Sequence, residues 1–114
     1  LASSYGFQND EEDADGTPRR ATKRLWVQTE LIKAHLAQMA RGHAEAENHA
    51  ARLIEMFRKT YLRDDGTWVD QIDENGAPIA PAIPVSTFYH IICMVIYSPV
   101  QYFITLIHLY RMKK

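Results

Sequence analysis

A chain of 114 residues, 46% hydrophobic and 24% charged, has the composition of one ordinary globular domain with enough apolar material for a core. Its formal net charge of −1 excludes nucleic-acid binding by general electrostatics, because neutralising phosphates needs a concentrated excess of Lys and Arg. The single cysteine, Cys93, excludes an internal disulfide, no Cys/His spacing resembles a zinc site, and a reduced, cytoplasmic setting is expected.

Residues 1–18 have no apolar periodicity and carry Gly6, Asp15, Gly16 and Pro18, the mark of a connecting loop. Charge is unevenly placed there. Asp10, Glu11, Glu12, Asp13 and Asp15 form an acidic run, and Arg19, Arg20, Lys23 and Arg24 follow it. The plainer reading is a solvated loop leading into a helix; the sharper one gives one of the basic residues to a phosphorylated substrate. The first residue is Leu1 rather than Met, so an amino end made by truncation or processing is expected.

From about residue 21 to 41 the pattern predicts a helix, with Leu25, Ile32, Leu36 and Met39 near one face and Gly42 placed to end it. A second helix is predicted over 46–63, where Ala50, Leu53, Ile54, Phe57 and Tyr61 keep helical spacing while Glu47, Arg52, Glu55 and Arg58 lie elsewhere. The short connection makes the two an antiparallel hairpin. Residues 64–85 are punctuated by Asp65-Gly66, Asn75-Gly76, Pro78, Pro81 and Pro84, and read as one long irregular segment in which Trp68, Val69 and Ile72 add at most a short extended piece. The Asn75-Gly76 pair is a turn of the kind hairpins favour. Ser86 or Thr87 can cap a third helix over 86–97, Pro99 interrupts it, and a final apolar helix is predicted over 100–112. The fold class is therefore all-α.

Residues 88–110 carry no charge and are followed by Arg111, Lys113 and Lys114, which resembles a membrane span with a cytoplasmic tail. His90, Ser98, Pro99, Gln101 and His108 inside that stretch disfavour insertion.

Two places carry residues suited to chemistry. Trp26 and Glu30, four apart on the first helix, meet on one side of it, and a carboxylate beside an indole suits a sugar, with hydroxyls at its rim and C–H groups on its faces. The plain alternative is a surface Glu near a half-buried Trp. His90, one turn into the third helix, titrates near neutral pH and suits proton transfer beside a carbonyl; the plain alternative is a core histidine. His35, His43, His49 and His108 have no better case, and none pairs with a carboxylate at metal-ligand spacing. No Gly-rich phosphate loop and no Ser/His/Asp triad is present.

Three stretches occur in order: Arg24-Leu25-Trp26-Val27-Gln28-Thr29-Glu30, Gly66-Thr67-Trp68-Val69-Asp70 and Pro84-Val85-Ser86-Thr87-Phe88-Tyr89-His90. With the Asp73 to Gly76 turn, they resemble the C-terminal region of the N-acylglucosamine 2-epimerase family, which includes mannose isomerases and mannose-6-phosphate isomerase-like proteins. The resemblance covers about Gly6 to Cys93 and implies the C-terminal helical hairpins of an (α/α) barrel, so that residues 1–114 form a single partial domain and 94–114 an apolar tail departing from the family.

The resemblance also implies chemistry at C2 of an open-chain sugar through an enediol-like intermediate, without cofactor or metal. His90 falls on the family's C-terminal catalytic histidine and Glu30 on its cavity glutamate, with Trp26, Arg24 and Trp68 as substrate-binding candidates. The second catalytic histidine lies upstream of this chain, so the isolated chain is expected to be inactive. Cys93 stands where N-acetyl-sugar epimerases tend to carry arginine, which leans toward the isomerase branch. A monosaccharide or sugar phosphate is the expected substrate and a homo-oligomer the expected assembly. The alternative is a non-catalytic helical module that self-associates, binds a partner or attaches to a membrane through 88–110.

Overall fold

The apolar stripes of the two long helices pack against each other. In the computed structural model, which describes residues 6–79 and 85–97, α1 spans Leu25–Ala40 and α2 spans Ala44–Tyr61. Leu25, Ile32, Leu36 and Met39 of α1 are buried, as are Ala46, Ala50, Leu53, Phe57 and Tyr61 of α2. Phe7, Val69, Ile72 and Met94 complete the core. The helices are joined by residues 41–43, where the N–H groups of Gly42 and His43 return to the carbonyls of Met39 and Gln38 at 3.0 and 3.1 Å. These bonds occupy carbonyls that the end of α1 would otherwise leave unpaired.

Helix α1 starts at Leu25, later than the expected residue 21, because Lys23–Arg24 form a strand, β3. It pairs antiparallel with β4, Gln71–Ile72, in the register Lys23↔Ile72 and Arg24↔Gln71. No side chain caps α1. Instead the N–H of Leu25 donates to the Asp70 carbonyl at 2.8 Å and the N–H of Arg24 to Asp10 Oδ1 at 2.8 Å. Tertiary partners thus satisfy N–H groups at the start of the helix that have no acceptor within it.

A further correction concerns the first stretch read as loop. Residues 11–20 form a hairpin of β1 (Glu11–Glu12) and β2 (Pro18–Arg20), antiparallel, with Glu11 opposite Arg20. The acidic and basic runs therefore face each other: Arg19 lies 3.3 Å from Asp13, and Arg20 lies 3.8 Å from Glu11. Within the 64–79 part of the irregular segment, the expected short extended piece and Asn75-Gly76 turn are present as β4 with bridges Leu62↔Trp68 and Ile72↔Pro78. Residues 80–84 lie outside the described residues.

One turn recurs in all three places. The N–H groups of Asp13, Arg63 and Asp73 donate to the carbonyls of Thr17, Thr67 and Ala77 at 2.9, 2.9 and 2.8 Å, each around an Asp-Gly or Asn-Gly pair. Gly16 and Gly76 sit at φ 88° and 87°, the left-handed conformation that a three-residue hairpin loop requires at its last position.

A polar knot closes the end of the hairpin where α1 starts and α2 stops. Asp10, 7% exposed in its side chain, accepts the Thr22 hydroxyl at 2.6 Å and the Gln71 amide at 2.9 Å, besides the Arg24 N–H. The Tyr61 hydroxyl donates to the Lys23 carbonyl at 2.9 Å, and burial raises this phenol's pKa. Lys23 is 2% exposed and donates to the Ala21 carbonyl at 2.7 Å. Burial lowers its ammonium pKa against the opposing pull of Asp10, Glu74 and Asp73, so Lys23 is a fold residue rather than a surface phosphate contact.

Residues 85–97 are helical and are called α3. Thr87, expected as a cap, lies inside that helix, and its hydroxyl bonds Asp70 instead. The expected final helix at 100–112 and Pro99 lie outside the described residues. Among the described residues, no helix is long and apolar enough to cross a membrane.

Candidate active site

Trp26, Glu30 and Lys33 follow one another at helical spacing along α1, on a side other than its buried stripe. Helix α3 lies beside them. His90 Nδ1 stands 3.5 Å from Glu30 Oε1, and the imidazole and the Trp26 indole have centroids 5.7 Å apart at a 34° tilt. The same Glu30 oxygen receives Lys33 Nζ at 3.2 Å, and that ammonium also lies 5.9 Å from the centre of the Tyr97 ring. The Tyr89 ring meets His90 edge-on at 5.7 Å.

Three of these groups are reachable from solvent: the side chains of Glu30, His90 and Lys33 are 46%, 30% and 27% exposed. A separation of 3.5 Å is long for a hydrogen bond, so the pair is a close approach between helices. With the carboxylate on the Nδ1 side, Nε2 is the ring nitrogen left for another partner. The Cys93 thiol next to Tyr89 raises the phenol's pKa, with burial and Glu30 adding and Lys33 opposing.

The structure thus brings Trp26, Glu30 and His90 together. Arg24 and Trp68 are engaged nearby in the chain's framework. The Arg24 guanidinium is turned to Asp10 at 3.9 Å, and Trp68 stacks on Phe88 of α3 at 5.9 Å. Trp68 Nε1 is buried with no hydrogen-bond partner among the described residues. Sequence reasoning missed Lys33, Tyr89 and Tyr97; the available signal was spacing, Lys33 following Glu30 by three residues and Tyr97 following His90 by seven. Among the described residues, no group of three or more His, Cys, Asp or Glu side chains could hold a metal ion.

Fold and geometry define a helical protein that sets a carboxylate and an imidazole beside an indole. The chain belongs to the N-acylglucosamine 2-epimerase (GlcNAc 2-epimerase) family, whose model matches residues 2–94. It is similar to a mannose-6-phosphate isomerase of Rhizobium meliloti (strain 1021), with 37% identity over 82 residues, which covers 65% of this chain and 20% of the relative. The chain thus aligns with about a fifth of the length of that curated relative. No solved structure matches the chain significantly.

Proposed function

We propose that this chain is the C-terminal part of a cytoplasmic, homo-oligomeric sugar isomerase or epimerase, contributing late hairpins to an (α/α) barrel. The reading is supported most by one observation: Glu30 and His90, far apart in sequence, approach to 3.5 Å beside the Trp26 indole. In this reading residues 1–114 are one partial domain, and the tail from 94 departs from the family where the family match ends.

The open-chain sugar lies with a C–H face on Trp26. His90 moves the proton at the carbon next to the carbonyl, and Glu30 orients the imidazole and steadies its charged form. Removing the C2 proton leaves an enediol-like intermediate. Returning a proton to C2 from the other face gives the epimer; returning it to C1 gives the ketose. Arg24, whose side chain stays 45% exposed beside Asp10, reaches the remainder of the sugar, while Trp68, stacked on Phe88, supports that end of the site from behind. Cys93, in the place of an arginine, and the name of the relative both favour aldose–ketose isomerisation of mannose or mannose 6-phosphate.

The test is solvent exchange. The complete protein containing this chain, incubated in D2O with mannose, mannose 6-phosphate or an N-acylglucosamine, should incorporate deuterium at C1 or C2 of one of them. Absence of exchange with all three would remove the reading. The 114-residue chain alone should turn over little, because one acid/base group without a partner on the opposite face runs the reaction poorly.

A further inference from the structure

Asp70 is 6% exposed, and it touches both helices that carry the candidate site. Its main-chain carbonyl accepts the N–H of Leu25, the first residue of α1, at 2.8 Å. Its Oδ1 accepts the hydroxyl of Thr87, itself 3% exposed, at 2.5 Å. Leu25 immediately precedes Trp26, and Thr87 lies just under one turn before His90. The segment bearing Asp70 is in turn anchored to α2, because the N–H of Val69 donates to the Tyr61 carbonyl at 2.7 Å.

A buried carboxylate is costly to desolvate, and a hydrophobic residue of similar size generally packs as well or better. A threonine inside a helix ordinarily returns its hydroxyl to the backbone of its own helix. Here both residues give up the cheaper arrangement for a bond between elements. That bond sets the height and rotation of α3 against α1, the two variables that decide how far His90 stands from Glu30.

We infer that Asp70 is the positioning residue of the site: its carbonyl holds α1, its carboxylate holds α3, and the Glu30–His90 approach follows. The catalytic meaning of this role rests on the proposed isomerase reading, but the geometry does not.

The complete protein, with its aromatic and histidine residues selectively labelled, therefore provides the test without sugar, by nuclear Overhauser contacts between ring protons. The unaltered protein should give Trp26–His90 and Phe7–Tyr61 cross-peaks. Thr87→Val and Asp70→Ala should lose the first and keep the second, while Thr87→Ser, which keeps the hydroxyl, should retain both. A Trp26–His90 cross-peak undiminished in folded Thr87→Val would overturn the inference. So would loss of every tertiary cross-peak in both Thr87→Val and Asp70→Ala, since Asp70 would then hold up the fold rather than aim the site. In the complete protein, Thr87→Val should lower kcat by up to about 100-fold with KM little changed, as expected for reacting groups misplaced by about 1 Å. If the cross-peaks behave as expected but the unaltered complete protein exchanges no sugar proton, the isomerase reading falls and the positioning role stands.

Discussion

The imidazole of His90 and the carboxylate of Glu30 meet across two helices, Nδ1 to Oε1 at 3.5 Å. Lys33 shares that oxygen at 3.2 Å, so one carboxylate ties an acid/base candidate to a fixed cation. In the proposed mechanism Glu30 orients and His90 reacts. Glu30→Gln in the complete protein keeps an oxygen for Lys33 and His90 but removes the charge; kcat should fall about 10- to 100-fold, less than the 10²–10⁴-fold typical of losing a general acid or base itself. Trp26→Ala should mainly raise KM, because on the proposed reading the indole would cover the sugar in the ground state and transition state alike. Steady-state kinetics that resolve kcat from KM check both.

Stability should respond at the polar knot. Tyr61→Phe keeps the ring contacts with Phe7 and Phe57, at 5.3 and 5.4 Å, and removes only the hydroxyl that donates to the Lys23 carbonyl. The expected cost is about 1–2 kcal/mol. Asp10→Ala leaves the Arg24 N–H, the Thr22 hydroxyl and the Gln71 amide without their shared acceptor, and should cost more, about 2–3 kcal/mol. Urea unfolding followed by circular dichroism gives both differences.

A pH dependence follows from His35, which stacks on His49 at 5.2 Å in a cleft that Arg52 also lines. Burial, then the neighbouring His49, lowers the His35 pKa below its ordinary value near 6.5. The unfolded chain therefore binds this proton more readily than the folded one. The stability is fully present above pH 6.5, falls as pH drops below it, and levels off below the depressed folded value. His35→Leu should flatten that acid-side loss in urea midpoints measured at pH 7.5 and 5.5. An unchanged slope would assign the acid sensitivity to other groups.

The helical hairpin was legible because its buried faces repeat: Leu25, Ile32, Leu36 and Met39 on one helix, Ala50, Leu53, Phe57 and Tyr61 on the other. Hairpin β1–β2 was not, since Glu11-Glu12 and Pro18-Arg19-Arg20 have no apolar alternation for a strand pattern to register. Asp15-Gly16, Asp65-Gly66 and Asn75-Gly76 were visible as turns, but pairing across them depends on residues flanking a three-residue loop, which local composition does not specify. Asp10 read as one charge in an acidic run; three-dimensional neighbours make it a buried acceptor.

At the site, the Trp26–Glu30 pair followed from helical spacing, whereas the approach of His90 depends on how α3 docks on α1. Periodicity within either helix holds no information on that docking. Lys33 was passed over because a lysine on a helix is ordinarily solvated. Thr87 read first as a helix cap, and its bond to Asp70 joins residues 17 apart, beyond any local spacing.

The most direct test of the account is solvent-deuterium incorporation at C1 and C2 of the substrate by the complete protein carrying His90→Asn. The substitution keeps a polar side chain and should leave the fold intact, with His35→Asn as control. Loss of a general acid or base typically costs 10²–10⁴-fold, about 3–5 kcal/mol of transition-state stabilisation, and exchange should fall by that factor. Exchange at near the unsubstituted rate would make His90 a structural histidine and contradict the mechanism proposed for this site.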